Sequence, residues 1–157
     1  MSVGHKFTMA AVLVALTIVI QCVWIAVLIV WGRTHFARER RALGAVRDAW
    51  LMVWIISDIV VLHLLEILLW GVFYRWQCFS SWTAAFYFSA GAYTTVGSGA
   101  LPLPPEWHTF QPLESLTGTL MCGFSASFLF AVVTRLVQHD ETILKQADKT
   151  PLAVVSN

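Results

Sequence analysis

Charge is what this chain has least of. Lys, Arg, Asp and Glu together make up 12% of its 157 residues, against about a quarter in a soluble domain. That scarcity excludes an ordinary solvated globule. With a net charge of only +1, no nucleic-acid partner is expected. Cysteine is scarce too, and Cys22, Cys78 and Cys122 fit no metal-ligand spacing. Cys22 and Cys122 fall inside apolar runs, where packed thiols are expected. Cys78 lies near the end of one and reads as a free thiol, with a bond between subunits as the other option. None of His5, His35, His63, His108 and His139 sits in a nucleophile or zinc motif, so neither an enzyme nor a cofactor is expected. The first apolar run is too long for a secretory signal, and no small-residue cleavage pattern follows it.

What is present is apolar sequence, at 58%, and it falls into three long runs. The first is expected to span from about 9 to 31, long enough to cross a hydrocarbon core of ~30 Å. Thr17 and Gln21 are its polar members. Gln21 either bonds another helix or simply occupies a protein-facing position. Residues 33–48 hold Arg33, Arg38, Arg40, Arg41 and Arg47 and read as a solvated basic connector. A voltage sensor needs arginines at every third position within a span, and these lie between spans. The second run, 49–74, is an expected second span with Trp50, Trp54, Trp70 and Trp76 towards its ends, as interfacial aromatics lie. Its interior carries Asp58, His63 and Glu66. Three residues apart, His63 and Glu66 share a helix face. They read as a hydrogen-bonded pair joining this helix to its neighbours, as a pH-sensitive strut, or as half of a metal site repeated by symmetry. The third run, 113–137, is interrupted by Gly118 and Gly123, and Pro112 and Glu114 suit the first turn of its helix.

Between the second and third runs the pattern changes. Residues 80–93 are apolar but too short to span, at ~1.5 Å per residue. Ser80 or Ser81 can cap their start. They are followed by Thr94-Thr95-Val96-Gly97-Ser98-Gly99, a poor helix and a poor strand. Two glycines one residue apart permit φ > 0, and such a run is expected to hold an extended backbone with carbonyls aimed one way. Irregular backbone at membrane depth is tolerated where protein buries it or where it lines a watery path. The position of 80–93 directly before this run predicts a re-entrant helix whose C-terminal end points at that path. Pro102, Pro104 and Pro105 then predict a stiff loop without regular structure. Glu106 in that loop reads as solvated, with added negative potential near the watery path as the other reading.

The run resembles the selectivity filter of potassium channels, usually Thr-Val-Gly-Tyr-Gly. The resemblance covers roughly residues 50–137 and departs at Ser98, where that family has Tyr, and at Ala100, where it usually has Asp. It implies an all-α membrane protein with three transmembrane helices, a pore helix and a filter loop, four copies of which enclose one path. Ion ligands would be supplied by Thr95, Val96, Gly97, Ser98 and Gly99, holding K⁺ or Na⁺ at backbone carbonyls only. Trp82, Phe86, Tyr87 and Thr94 would support the pore helix and lie behind the filter. Gly123 falls where inner helices of that family carry a gating hinge, with Gly118 as a second candidate; close helix packing is the other reading of both. The expected organisation is therefore residues 1–48, a first helix and connector; 49–137, the pore module with its filter at 94–99; and 138–157, a short polar tail too small for a ligand-sensing domain. The expected function is passive K⁺ conduction. Ser98 and Ala100 point to a nonselective monovalent cation channel as the alternative, with a non-conducting accessory subunit behind it.

Orientation follows from charge. With the connector inside, Arg135, Lys145 and Lys149 join its five arginines there, and only Lys6 and Arg75 lie outside, as the positive-inside rule requires. A multi-pass protein of the plasma (inner) membrane is expected, embedded in the lipid bilayer as a homotetramer, N-terminus outside and C-terminus cytoplasmic.

Overall fold

A computed structural model describes residues 3–38, 44–97, 99 and 101–149. Among these residues four helices run in order: α1 (Val3–Arg38), α2 (Gly44–Gln77), α3 (Trp82–Tyr93) and α4 (Phe110–Lys149), with one 3₁₀ turn at Pro105–Trp107. No strand occurs among the described residues. Among the described residues three stretches are long and apolar enough to cross a membrane, Gly4–Gly32, Ala49–Gln77 and Pro105–Arg135. With 12 residues, α3 is ~18 Å long and falls short of a crossing.

The helices outrun the apolar runs that announce them. α1 and α2 extend into the basic connector as far as Arg38 and from Gly44, so 33–38 and 44–48 are helix and not the expected loop, and 39–43 lie outside the described residues. α4 continues past Val137 to Lys149, making most of the expected tail helical. The physical reason is common to both: Arg, Lys, Glu and Gln are good helix formers, so a helix need not stop where the apolar run does. The proline loop also departs from expectation. Pro105 opens a 3₁₀ turn in which the Trp107 N–H donates to the Pro104 carbonyl at 2.8 Å. At the start of α3, Ser81 takes the N-cap position with extended φ −112°, but its side chain makes no capping bond.

α1 is tied to its neighbours at several depths. The Trp70 indole N–H donates to Thr17 Oγ1 (3.1 Å), and that of Trp24 to Asp58 Oδ2 (2.6 Å). Trp31 stacks on Trp54 with ring centroids 4.3 Å apart. As the α1 number rises its α2 partner's falls, as antiparallel neighbours require. Towards α4, Gln21 Nε2 donates to Ser125 Oγ at 2.9 Å, so Gln21 bonds another helix rather than merely facing protein. Lys6 Nζ donates to the Glu106 carbonyl at 3.2 Å, lies 3.9 Å from its carboxylate and sits over the Trp107 ring. Glu106 is therefore paired, not simply solvated, and the start of α1 and the proline loop occupy the same end of the molecule. Lipid is as apolar as Leu, so polar bonds and close packing, rather than apolar burial, hold these helices together.

That end also carries the main core. Trp70, Phe73 and Tyr74 of α2 meet Phe88 of α3, Trp107 of the loop and Phe110 of α4, with Ala10 and Leu13 of α1 against them. Phe73 stacks on Phe110 at 4.8 Å, while Tyr74 meets Phe88 edge-on at 4.8 Å. Such aromatic pairs contribute roughly 0.5–1.5 kcal/mol each beyond burial. They pin α3 between α2 and α4.

Candidate functional site

The stretch that follows α3 starts as a helix ending. Thr94 has φ −81° and its N–H faces the carbonyls of Ala90 and Ala92. Thr95 then turns left-handed at φ 63°, and Gly97 and Gly99 do so at 91° and 56°. Val96 between them stays out of the left-handed region. The Thr95 N–H donates to Ala92 O at 3.1 Å and the Gly97 N–H to Gly91 O at 2.9 Å. Thr94 Oγ1 donates to Ala90 O at 2.7 Å. This resembles the left-handed turn that closes many helices by returning N–H groups to their last carbonyls. The expected extended run is thus replaced by a turn over 94–97, because the carbonyls ending α3 need donors. Nothing lies within 4 Å of a Cβ built on Gly97 or Gly99, so it is backbone angle, not space, that calls for glycine there. Thr95 has no such freedom. A β-branched residue in this region is strained by about 1–3 kcal/mol.

Thr94, Thr95 and Val96 are exposed on the subunit, Val96 at 84%. Ser98 and Ala100 lie outside the described residues. Trp82 and Tyr87 are more than half exposed and Phe86 partly so. They lie on the outward face of α3, because α2 and α4 take the other face, carrying Ala85, Phe88, Ser89, Ala92 and Tyr93.

What does lie behind is polar. The Tyr93 hydroxyl donates to Glu66 Oε2, and His63 Nδ1 lies 2.9 Å from that hydroxyl and 3.2 Å from the same carboxylate oxygen. Tyr93 Oη, Glu66 Oε2 and His63 Nδ1 thus close a triangle of polar atoms. The hydrogen-bonded reading of His63 and Glu66 thus acquires a named neighbour, the end of α3. The metal reading finds no group of three or more His, Cys, Asp or Glu side chains among the described residues. On the other flank, Ser89 Oγ sits 2.5 Å from Glu114 Oε1 and 2.8 Å from the Ile67 carbonyl oxygen, joining α2 and α4 through α3. The Ser115 hydroxyl donates to Ala92 O at 2.7 Å. A Cβ on Gly118 would fall 2.3 Å from the Tyr93 carbonyl oxygen, so α4 and α3 touch backbone to backbone there. Gly123 has open space around it within the subunit.

Tyr93, Ser89 and Glu114 escape a reading of the sequence. Glu114 looks like a first-turn carboxylate, yet it is fully buried. The available signal is Ser89 and Tyr93, four residues apart: two polar groups on one face of an otherwise apolar helix.

Residues 49–135 match the family model described as Ion channel, which contains the two-span channel module. More than half of the chain is covered, and the protein belongs to that family, as an integral membrane protein with an additional N-terminal apolar helix. No curated protein and no solved structure matches the chain.

Proposed function

We propose that the chain is one subunit of a potassium-channel-like cation channel, with α3 as a re-entrant pore helix and Thr95, Val96, Gly97, Ser98 and Gly99 as the filter. The observation that carries this is the backbone after α3 in a member of an ion channel family: left-handed at Thr95, Gly97 and Gly99 but not at Val96. Alternating handedness turns successive peptide groups to one side, gathering N–H groups on one face and carbonyls on the other. A row of carbonyls can replace the water shell of a cation.

One subunit cannot enclose a path, so four copies surround an axis. The uncovered stripe Leu116, Leu120 and Phe124 of α4, the outward Trp82, Phe86 and Tyr87 of α3, and exposed Val96 supply contact and lining for that assembly. Gly123, with free space about it, serves as the hinge of the inner helix, while Gly118 serves packing.

The test is purified protein in vesicles with K⁺ on one side and Na⁺ on the other. Passive current with a reversal potential far from zero, in the direction set by K⁺ leaving its own side, supports the reading. Reversal near zero identifies a nonselective cation channel, and absence of current removes conduction. Gly97→Ala is expected to abolish or rewrite conduction, since its φ of 91° strains any side chain. Unchanged current and selectivity in that variant would remove the filter assignment.

A further inference from the structure

We infer that Tyr93 is a positioning residue that sets which cation the stretch after it admits, acting through its bonds to Glu66 and His63. The inference rests on the channel reading above.

Tyr93 is the last residue of α3 and stands two positions before Thr95. It is 2% exposed, and Glu66 is 0% exposed. Its hydroxyl is held by Glu66, with His63 Nδ1 2.9 Å away, so its far end belongs to α2. Its near end belongs to α4, because the Tyr93 carbonyl and ring crowd Gly118. Ile67 of α2 and Met121 of α4 pack around it. A phenol ring has only two side-chain torsions, so grasping it at both ends locates its Cα with respect to two membrane helices at once.

The backbone that follows is coupled to that Cα. Thr95 and Gly97 return their N–H groups to Ala92 and Gly91, one and two residues before Tyr93. A shift of the last turn of α3 therefore shifts the left-handed residues with it. Strain of the kind held at Thr95 persists only where the surroundings over-determine it. Tyr93 and its partners are the surroundings on the buried side. Ser98 carries no ring that would brace the stretch from its other end. Glu66 reinforces the arrangement, because a buried carboxyl is costly unless hydrogen-bonded. Removing the hydroxyl releases the turn, lets Thr95 relax and moves the carbonyls after it. Selectivity is the property most sensitive to such small displacements.

The experiment uses the full chain in vesicles under opposed K⁺ and Na⁺, comparing wild type with Tyr93→Phe, which keeps the ring and deletes one hydroxyl. A roughly two- to tenfold change in the K⁺/Na⁺ permeability ratio is expected, the scale of one buried hydrogen bond. Glu66→Gln keeps an acceptor oxygen for the hydroxyl and is expected to retain most of the wild-type ratio, while Glu66→Leu follows Tyr93→Phe. A merely structural role would change the amount of assembled protein and leave the ratio of the conducting fraction alone. Tyr93→Phe channels that conduct with the wild-type ratio overturn the inference and leave the channel reading standing. A wild-type protein that passes no cation overturns both. If Tyr93→Phe does not assemble, the partly exposed His63 decides by the same criterion: His63→Gln shifts the ratio, or the inference fails.

Discussion

Gly118 and Gly123 stand five residues apart on one helix and meet opposite surroundings. At Gly118 an added methyl group would fall 2.3 Å from a main-chain oxygen, which cannot swing aside as a side chain would. Gly118→Ala is therefore expected to destabilise the subunit by about 1–3 kcal/mol, the usual cost of overpacking. At Gly123 nothing stands within 4 Å, and Ala there is expected to gain up to about 1 kcal/mol from helix propensity. Thermal unfolding in detergent checks both. Equal shifts in the two variants would refute the contrast. The sequence offers the two glycines as equivalent interruptions of an apolar run, because the neighbour that separates them, Tyr93, lies on another helix. Thr95 is hidden in the same way. Gly97 and Gly99 advertise positive φ, but a threonine does not, and only the return of its N–H to the Ala92 carbonyl at the end of α3 explains why it turns.

The elements were more legible than their partners. Three apolar runs and one short helix could be read directly, since length against membrane thickness decides them. Helix ends could not, because polar helix formers carry α1, α2 and α4 beyond the apolar runs. His63 and Glu66 were legible as a pair, three residues apart on one helix, but Tyr93, 27 residues after Glu66, is brought to them only by the packing of α3. The attachment of α1 was equally out of reach, although Thr17, Gln21 and Asp58 marked it as polar groups with apolar neighbours. The Trp24–Asp58 bond is expected to couple α1 to α2 by roughly 0.6–1.7 kcal/mol, the range from average to strongest for interhelical bonds in membranes. A double-mutant cycle of Trp24→Phe and Asp58→Ala, read by unfolding in detergent, measures it. A coupling of zero would mean that α1 is held by packing alone.

For the whole molecule, one end gathers the start of α1, the turn after α2 and the proline loop, through Lys6, Cys78 and Glu106. Burial, with a smaller contribution from Glu106, pushes the Cys78 thiol up to about 11. The neutral thiol is thus the favoured form in the folded protein, and the reactive thiolate appears only as pH rises towards that value. At pH 8 roughly a thousandth of it is thiolate, against about a quarter for an ordinary cysteine. A membrane-impermeant thiol reagent applied outside is expected to label Cys78 slowly at pH 8 and about tenfold faster per pH unit above it. Labelling only from the inner face would reverse the orientation, and fast labelling at pH 8 would refute the burial. The same end has a consequence for how the protein is made. Lys6 meets Glu106, and Gln21 meets Ser125; in each case the second partner is synthesised about a hundred residues after the first. At about 5–20 residues per second, the first helix spends some 5–20 s in the membrane with its glutamine amide unclaimed by α4. Of the described helices α1 is therefore made first and fully bonded only when α4 arrives, with α2 and α3 already beside it.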